Sequence, residues 1–332
     1  MTDTVLQWLL DPEEPSVRYL TLTTLLDRLE NDPETESARQ AIMASGPVPQ
    51  ILECQNSDGS WNDPVQFYHD KYGGTVWTLL LLAELRADPA DPRVKKACEF
   101  ILNHSREPES GGFALAMSTR TGWGLPSGVI PCLTGNMVYS LIRLGYLADP
   151  RVEQAIDWIA TWQRADDADG PAPKGEIYAR LSACWGRHSC HMGAAKAMKA
   201  LAAIPAGRRS PAAAAKLAEL AEYFLRHHLY KKSHNLAETA KPGWLKPGFP
   251  LMYQTDILEL LGLFADMQLW DPRLQDALDI LAAKCQADGR WLLENTFNGK
   301  MQIRIGQKGQ PSRWITLKAG QVFRQFYKST GL

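Results

Sequence analysis

A repeat of about 60 residues is the feature that most restricts how this chain of 332 residues can fold. Asp-Pro or Ser-Pro pairs open five amphipathic segments, at positions 32, 91, 149, 210 and 271. In each pair, a side chain that can cap a helix precedes a Pro suited to the first helical position, which is a strong signal for a helix start. A period of this length, sustained along the chain, predicts stacked helical units rather than separate domains.

A second, more apolar helix follows each of these segments after a loop rich in Gly, Asp and Pro. The first helix of each pair has one apolar face, as the spacing of Val152, Ala155, Ile156 and Ile159 indicates. Amphipathic helices outside and apolar helices inside predict two concentric rings within one domain, residues 1–332. The inner helices are predicted at 16–29, 72–87, 132–147, 189–204, 251–266 and 313–328. The short segment "TVLQWLL" is the predicted outer partner of the first of them.

Composition and charge exclude several classes of function. Apolar residues make up 45% of the chain and charged residues 22%, the mix of an ordinary folded protein. The net charge is -1 and no long basic block occurs, so we expect no nucleic-acid partner. The longest apolar run, "VWTLLLLA", is too short to span a membrane, which leaves peripheral membrane contact open. Six scattered Cys and a start without a basic signal region predict a cytoplasmic protein of unknown oligomeric state.

Two stretches place Gln, Gly and Trp in the same order at the end of an apolar segment: Gln55, Gly59 and Trp61, and then Gln286, Gly289 and Trp291. A degraded copy, "SGGF", lies at 110–113. In this pattern the chain resembles the squalene and oxidosqualene cyclases and the β subunits of the protein prenyltransferases, whose repeat motif is Q-x(2–5)-G-x-W. The resemblance covers the whole chain at the level of the period. It implies an all-α fold, the (α/α)6 toroid.

In such a toroid the inner helices converge on a central cavity, and we expect residues at their N-terminal ends to face it. Cys132 and Cys190 occupy equivalent positions of neighbouring inner helices, where the helix dipole favours thiolate. His188 and His191 flank Cys190. These four residues, which could act as ligands or bases, are candidates for catalysis.

Two further catalytic candidates come from the next predicted inner helix. Asp256 falls in an apolar segment, where an unpaired carboxylate is costly, and is the predicted acid or base. Tyr253 precedes it by one helical turn. Glu259 either shares the face of Asp256 or is a salt-bridge partner.

Zinc is the metal that thiolate, imidazole and carboxylate ligands suit. The prenyltransferase β subunits hold a catalytic zinc, and the resemblance implies Cys132, Cys190 and His188 as its ligands here. Ile130 stands where that family has an Asp ligand, so Cys184, Cys190, His191 or Asp256 would have to substitute for it. The sequence contains no dinucleotide fingerprint and no phosphate loop, so no other cofactor is indicated.

Mainly aromatic side chains are predicted to line a pocket for a hydrophobic small-molecule substrate. Two long loops, 110–131 and 230–250, are predicted to fold as lids over one end of the cavity. The predicted substrate-binding residues are Tyr72, Trp123, Asn136, Tyr139, Trp185, Trp244, Phe249 and Trp314.

The leading interpretation is an enzyme that acts on an apolar, isoprenoid-like molecule by acid–base or zinc-assisted chemistry. The resemblance implies a cyclase, lyase or isomerase, or else a transferase. The D-x-D-D motif of the squalene-type cyclases is missing from the sequence. Two alternatives stay open: a cofactor-free hydratase or hydrolase that uses Cys, His and Asp, and a non-catalytic toroid that binds lipid or docks a protein.

Overall fold

Two rings of helices surround a common axis in the computed structural model, which describes residues 1–168 and 181–330. Helices are numbered in chain order. The inner ring consists of α2 (Pro15–Leu20, continued by a π-helical turn over Thr21–Leu25), α5 (Thr75–Glu84), α7 (Pro131–Arg143), α10 (His191–Ala202), α12 (Ile257–Asp266) and α14 (Arg313–Thr330).

The outer ring packs against the inner one. Its helices are α1 (Asp3–Leu9), α3 (Pro33–Ala44), α4 (Pro47–Glu53), α6 (Pro92–His104), α8 (Pro150–Trp162), α11 (Pro211–Arg226) and α13 (Gln275–Ala283). The short helix α9 (Ser182–Trp185) precedes α10. Single 3-10 turns occur at Pro64–Gln66, Pro126–Gly128, Ala206–Arg208, Pro242–Leu245 and Pro272–Leu274.

The capping signals read from the sequence operate as predicted. The side chains of Asp32, Asp91 and Asp149 each accept a hydrogen bond from the backbone N–H two residues on, and Ser210 accepts one from Ala213 N. Asp271 caps the short turn before α13 in the same way. Each bond satisfies a donor that the first turn of a helix leaves without an intrahelical partner.

The inner ring closes on itself. Consecutive inner helices are in contact from α5 to α14, and α14 packs against α2 and its π-helical turn. Ser16 Oγ donates to Leu85 O at 2.7 Å and so joins α2 to the end of α5. Between the ends of the chain, Arg313 Nε donates to Trp8 O at 3.1 Å, and Gln321 Nε2 donates to Thr24 Oγ1 at 2.7 Å. The predicted (α/α)6 toroid is therefore confirmed.

The Gln-Gly-Trp motif forms the corner between an outer helix and the next inner helix. Trp61 Nε1 donates to Ile51 O at 2.8 Å, while Trp61 N donates to Thr75 Oγ1 at the start of α5. Gln55 Nε2 reaches Arg93 O of the neighbouring outer helix at 3.0 Å. Gly59 has φ +96°, which favours glycine, and a Cβ there would lie 2.6 Å from Lys96 O.

The fifth inner helix begins later than predicted, at Ile257 rather than at residue 251. Asp256 is its N-cap residue, because Oδ1 accepts a hydrogen bond from Glu259 N at 2.8 Å. The residues before it lie in the predicted loop 230–250 and its continuation, which carries the antiparallel strands β1 (Lys231–Lys232) and β2 (Asn235–Thr239). Across the described residues, every helix is too short or too polar to cross a membrane.

Candidate active site

A cavity of about 870 Å³ opens at the C-terminal ends of the inner helices. Its walls combine apolar side chains, such as Leu258, Leu263 and Leu317, with many charged ones. The acidic lining residues are Asp27, Glu84, Glu259 and Asp266. The basic lining residues are Arg86, Arg143, Lys199, Arg209, Lys318 and Arg324.

This position differs from the one predicted, because the cavity was expected at the N-terminal ends of the inner helices. Cys132 stands at the start of α7, whereas Arg143 at its end lines the cavity, about 16 Å away along a helix that rises 1.5 Å per residue. The N-terminal end is filled by the loops that precede the inner helices. There the Tyr72 ring lies 4.1 Å from that of Phe297, and Tyr72 Oη accepts from Gln254 Nε2 at 3.0 Å.

Five side chains of alternating charge form an ion-pair network that we call the charge chain, and four of them line the floor of the cavity. They are Lys318, Glu84, Lys199, Glu259 and Lys196. The ion pairs between successive members measure 3.3, 2.5, 3.1 and 2.7 Å. Lys318 is the most accessible member, with its side chain 34% exposed, while Lys196 is fully buried.

The lysines of the charge chain hold its two carboxylates in their ionised forms, while burial lowers the pKa of Lys196 against the opposing effect of Glu259. Burial alone would raise the pKa of Glu84, but Lys199 and Lys318 lower it well below its usual range. The pKa of Glu259 is lowered in the same manner, by Lys196 and Lys199 against the effect of burial. Buried charges of this kind are tolerated only when they are paired and hydrogen-bonded.

Two aromatic side chains predicted to bind substrate line this cavity. The Lys199 ammonium lies 4.3 Å from the ring centroid of Tyr139, within reach of a cation–π interaction. Trp314 lines the cavity and stacks on Phe249 at 4.0 Å. These rings provide the aromatic part of a wall that is otherwise aliphatic and charged.

Asp256 lies behind the floor of the cavity. Together with Phe249 and four members of the charge chain it lines a separate void of about 20 Å³. Its oxygens accept from Glu259 N and from Gly248 N, both at 2.8 Å. Burial is the main cause that raises the pKa of Asp256 to about 7, with a smaller contribution from the Glu259 carboxylate.

The predicted cysteines lie at the opposite end of the ring from the cavity. Burial raises the pKa of Cys132 well above its usual range, with further contributions from Cys190 and Cys184, which lie nearby. Burial likewise raises the pKa of Cys184 to about 11. The expected stabilisation of the Cys132 thiolate by the start of its helix is therefore wrong, since loss of solvation outweighs the helix dipole.

Neither of the two predicted histidines lines the cavity. The His188 side chain is 66% exposed, and its Nδ1 lies 3.8 Å from Asp167 Oδ1. The ring of His191 stacks on Trp244 at 3.8 Å and meets Phe224 edge-on. Burial lowers the pKa of His191 well below its usual range, so its imidazole is neutral.

The remaining predicted site residues lie in three different settings. Trp123 is 53% exposed on the loop that precedes α7. Trp185 is buried against Trp158, and Asn136 Nδ2 donates to Met252 O at 3.0 Å in the core. Tyr253 joins the aromatic cluster around Tyr72, with the ammonium of Lys71 4.9 Å from its ring centroid. Their predicted roles in binding and catalysis stay predictions.

Within residues 1–168 and 181–330, no group of three or more His, Cys, Asp or Glu side chains is arranged to hold a metal ion. The predicted set of Cys132, Cys190 and His188 does not form such a group, because Cys132 is buried while His188 is exposed beside Asp167.

The sequence contains a signal for the charge chain that lies outside the repeat motif. Glu84, Lys196 and Lys199 interrupt apolar helices that are predicted to be buried on all sides. Lys and Glu are almost never fully buried unless they are paired. Three such residues on two inner helices therefore indicate an internal ion-pair network.

No protein-family model and no curated protein sequence matches the chain. Among solved structures it is similar to a type II terpene cyclase, MstE from Scytonema, in complex with geranylgeranyl dihydroxybenzoate. The identity is 14% and the TM-score is 0.42, and the match covers 95% of this chain and 87% of that one. It is also similar to an unsaturated glucuronyl hydrolase specific for heparin, at 10% identity and a TM-score of 0.45, over 97% and 87%. A protein from Actinoplanes matches at 15% identity and a TM-score of 0.45, over 94% and 89%. A type II terpene cyclase is thus among the solved structures similar to this chain, while the fold assignment rests on the helix contacts described above.

Proposed function

We propose that the protein is an enzyme that binds a small molecule carrying an anionic group in the cavity at the C-terminal ends of the inner helices, and transforms it by acid–base chemistry. The observation that supports this most is the charged floor, where Lys318 presents a partly exposed ammonium above a buried ion-pair network. A cavity that held only a hydrocarbon would not offset the cost of desolvating these charges.

The apolar and aromatic walls fit the remainder of such a molecule. Leu258 and Leu263 lie on α12, and Leu317 lies on α14. Trp314 and Tyr139 add flat aromatic surface. An isoprenoid-like acid would satisfy both parts of the cavity, and so would a sugar acid, whose ring packs on aromatic faces. The anionic group is the feature that these two classes share.

Asp266 and Asp256 are the groups we propose for proton transfer. Asp266 lines the cavity directly, and desolvation raises its pKa against the opposing effects of Arg143 and Lys318. Asp256 has a pKa near neutrality and lies one layer deeper. A general acid or base works best when its pKa is close to the operating pH.

Zinc-assisted catalysis and a Cys-His-Asp mechanism are less well supported by this geometry. Cys132 and His191 lie at the end of the ring opposite to the cavity, and the pKa shifts of both side chains favour their neutral forms. A non-catalytic lipid carrier would require an apolar inner surface, and the charge chain argues against it.

Paired ligands that differ only in the anionic group test the proposal. We expect farnesoate to bind more tightly than farnesol, or glucuronate more tightly than glucose, in isothermal titration calorimetry. Lys318→Gln should weaken binding of the charged member by about 1.5 to 3 kcal/mol, the usual contribution of a hydrogen bond to a charged group. Lys232→Gln, on the exposed strand β1, is the matched control and should bind normally.

Turnover is tested separately, because binding alone would also suit a carrier. Wild-type protein incubated with the bound acid should yield a product detectable by mass spectrometry, and Asp266→Asn or Asp256→Asn should slow its formation. Equal affinity for both members of each pair would contradict the anionic specificity. Bound acid that is recovered unchanged in every case would contradict the enzymatic role.

A further inference from the structure

The charge chain contains more positive than negative groups. Its three ammonium groups belong to Lys196, Lys199 and Lys318, and its two carboxylates belong to Glu84 and Glu259. The chain therefore carries one more positive than negative charge. Interactions between charges are far stronger inside a protein than in water, so an imbalance at the floor affects every nearby ionisable group.

Asp256 is placed to balance this charge. Asp256 is 1% exposed, and it lines the small void together with four members of the charge chain. Among the described residues, the charged side chains that face it are Glu259 of its own helix α12, Lys196 and Lys199 of α10, Glu84 of α5 and Lys318 of α14. From the preceding loop it receives the backbone N–H of Gly248.

The void between Asp256 and the charge chain has room for one water molecule. Its volume of about 20 Å³ exceeds the roughly 10 to 15 Å³ that a single water requires. Its lining offers the polar partners that a buried water needs, from Asp256, Glu84 and Lys318. Because Lys318, Glu84 and Lys199 line both the void and the main cavity, such a water would lie between Asp256 and the bound ligand.

We infer that the site takes up its anionic ligand together with one proton, and that Asp256 is the group that receives the proton. This inference rests on the proposed function, since it requires an anion at Lys318. Around the void, Asp256, Glu84 and Glu259 face the lysines of the charge chain, while the arginines of the main cavity do not line the void. An anion that arrives at Lys318 adds a negative charge close to the Asp256 carboxylate in a region of low dielectric constant, and protonation of that carboxylate from solvent removes the repulsion.

One O–H bond forms on an Asp256 oxygen, and one bond to hydrogen breaks in the hydronium ion or buffer acid that supplies the proton. Each carboxylate oxygen has more than one acceptor site, so the hydrogen bonds from Glu259 N and Gly248 N leave room for a proton. A carboxyl group that titrates near neutrality can take part in this exchange at physiological pH, whereas an exposed Asp is already ionised.

Calorimetry of farnesoate and glucuronate in buffers of different ionisation enthalpy measures the proton directly. Both ligands are carboxylates that remain ionised near pH 7, so the proton cannot be their own. We expect uptake of a substantial fraction of a proton per ligand at pH 7, declining toward zero near pH 5, where Asp256 is already protonated. Affinity should fall as the pH rises above 7, by up to tenfold per pH unit.

Two variants locate the proton. Asp256→Asn should still bind the ligand, but without proton uptake and without the pH dependence, and Asn remains a good N-cap residue for α12. Asp266→Asn removes the other raised carboxyl group of the cavity and should keep the wild-type number of protons per ligand. In wild-type protein labelled with ¹³C-Asp, one carboxyl resonance should titrate near pH 7 and move to higher pH in the complex.

The outcomes separate this inference from the function beneath it. Binding of the acids without proton uptake overturns the inference and leaves the proposed function standing. The same holds if uptake persists in Asp256→Asn and disappears in Asp266→Asn. If neither farnesoate nor glucuronate binds more tightly than its neutral partner, the proposed function and the inference fail together.

Discussion

Lys196 Nζ lies 2.7 Å from Glu259 Oε2, and the two side chains are 0% and 7% exposed at the centre of the inner ring. This pair joins α10 to α12, and Glu259 also accepts from Lys199 at 3.1 Å. Removal of one member leaves an ammonium group without compensation in a region that water does not reach. The free-energy cost of this unpaired buried charge is much larger than the net stabilisation that the intact pair provides.

Glu259→Gln should therefore destabilise the protein by about 3 to 5 kcal/mol, as breaking one partner of a buried pair does. The free energy of unfolding in urea measures the change. Glu34→Gln breaks the exposed pair with Arg18 at 3.0 Å and serves as the matched control, with an expected loss below about 1 kcal/mol. The double variant Lys196→Met/Glu259→Gln should be more stable than Glu259→Gln alone. Equal losses of unfolding free energy in Glu259→Gln and Glu34→Gln would contradict burial of the network.

The stability of the wild type relative to Asp256→Asn should depend on pH in a defined direction. The pKa of Asp256 is raised from 3.8 to about 7 in the folded protein, so between these values only the unfolded chain is ionised. The folded state then binds more protons, and stability falls as the pH rises from about 4 to about 7, by up to roughly 4 kcal/mol at 1.36 kcal/mol per unit. Above pH 7 the difference should be constant. Urea denaturation of both proteins across this range tests the slope, and parallel curves would refute it.

Gly59→Ala should lower the melting temperature far more than the same change at Gly299. Both residues have positive φ, which costs an L-residue about 1 to 2 kcal/mol. Only at Gly59 would the added Cβ meet backbone, at 2.6 Å from Lys96 O, which adds about 1 to 3 kcal/mol of overpacking. Gly299 has open space around the Cβ position. Similar shifts in calorimetry would show that the corner of the first motif is not tightly packed.

The cysteines should differ in their reaction with a thiol reagent. Cys54 is exposed, whereas Cys132 and Cys98 are buried and their thiol pKa values are raised by burial. Thiolate is the reactive form, so native protein at pH 8 should be modified first at Cys54, and at Cys132 only after unfolding. Peptide mass spectrometry assigns the sites, with Cys54→Ser as the control. Early modification of Cys132 would restore the idea of an activated thiol at that position.

The architecture could be predicted from the sequence because local signals and the repeat agree. Asp91-Pro92 and Asp149-Pro150 specify helix starts, and the apolar run that includes Trp77 specifies an inner helix. Such agreement between local preference and global fold is characteristic of natural sequences. The apolar pattern begins early and so predicts Asp256 inside its helix, whereas the residue is the N-cap. The Asp-x-x-Glu spacing to Glu259 is the signal that would have placed it at the N-cap.

The location of the cavity could not be predicted, because it depends on which end of the ring the connecting loops fill. Tyr72 and Phe297 come from loops 225 residues apart in the sequence, and their contact closes the N-terminal end. Loop packing of this kind has no periodic signature. Periodicity and the family resemblance both favour Cys132 and Cys190, and both identify equivalent positions on helices but not the end of the ring at which space remains.

The last helix, α14, completes the ring against the first, through Arg313 with Trp8 and through Gln321 with Thr24. The inner wall is therefore complete only once α14 has docked on α2, and until that contact forms α2 and α12 each keep one flank uncovered. A ring that is closed by such a contact has no unique first hairpin. A circular permutant in which α14 is linked to α1 and the chain is opened in a different loop should therefore form the same toroid.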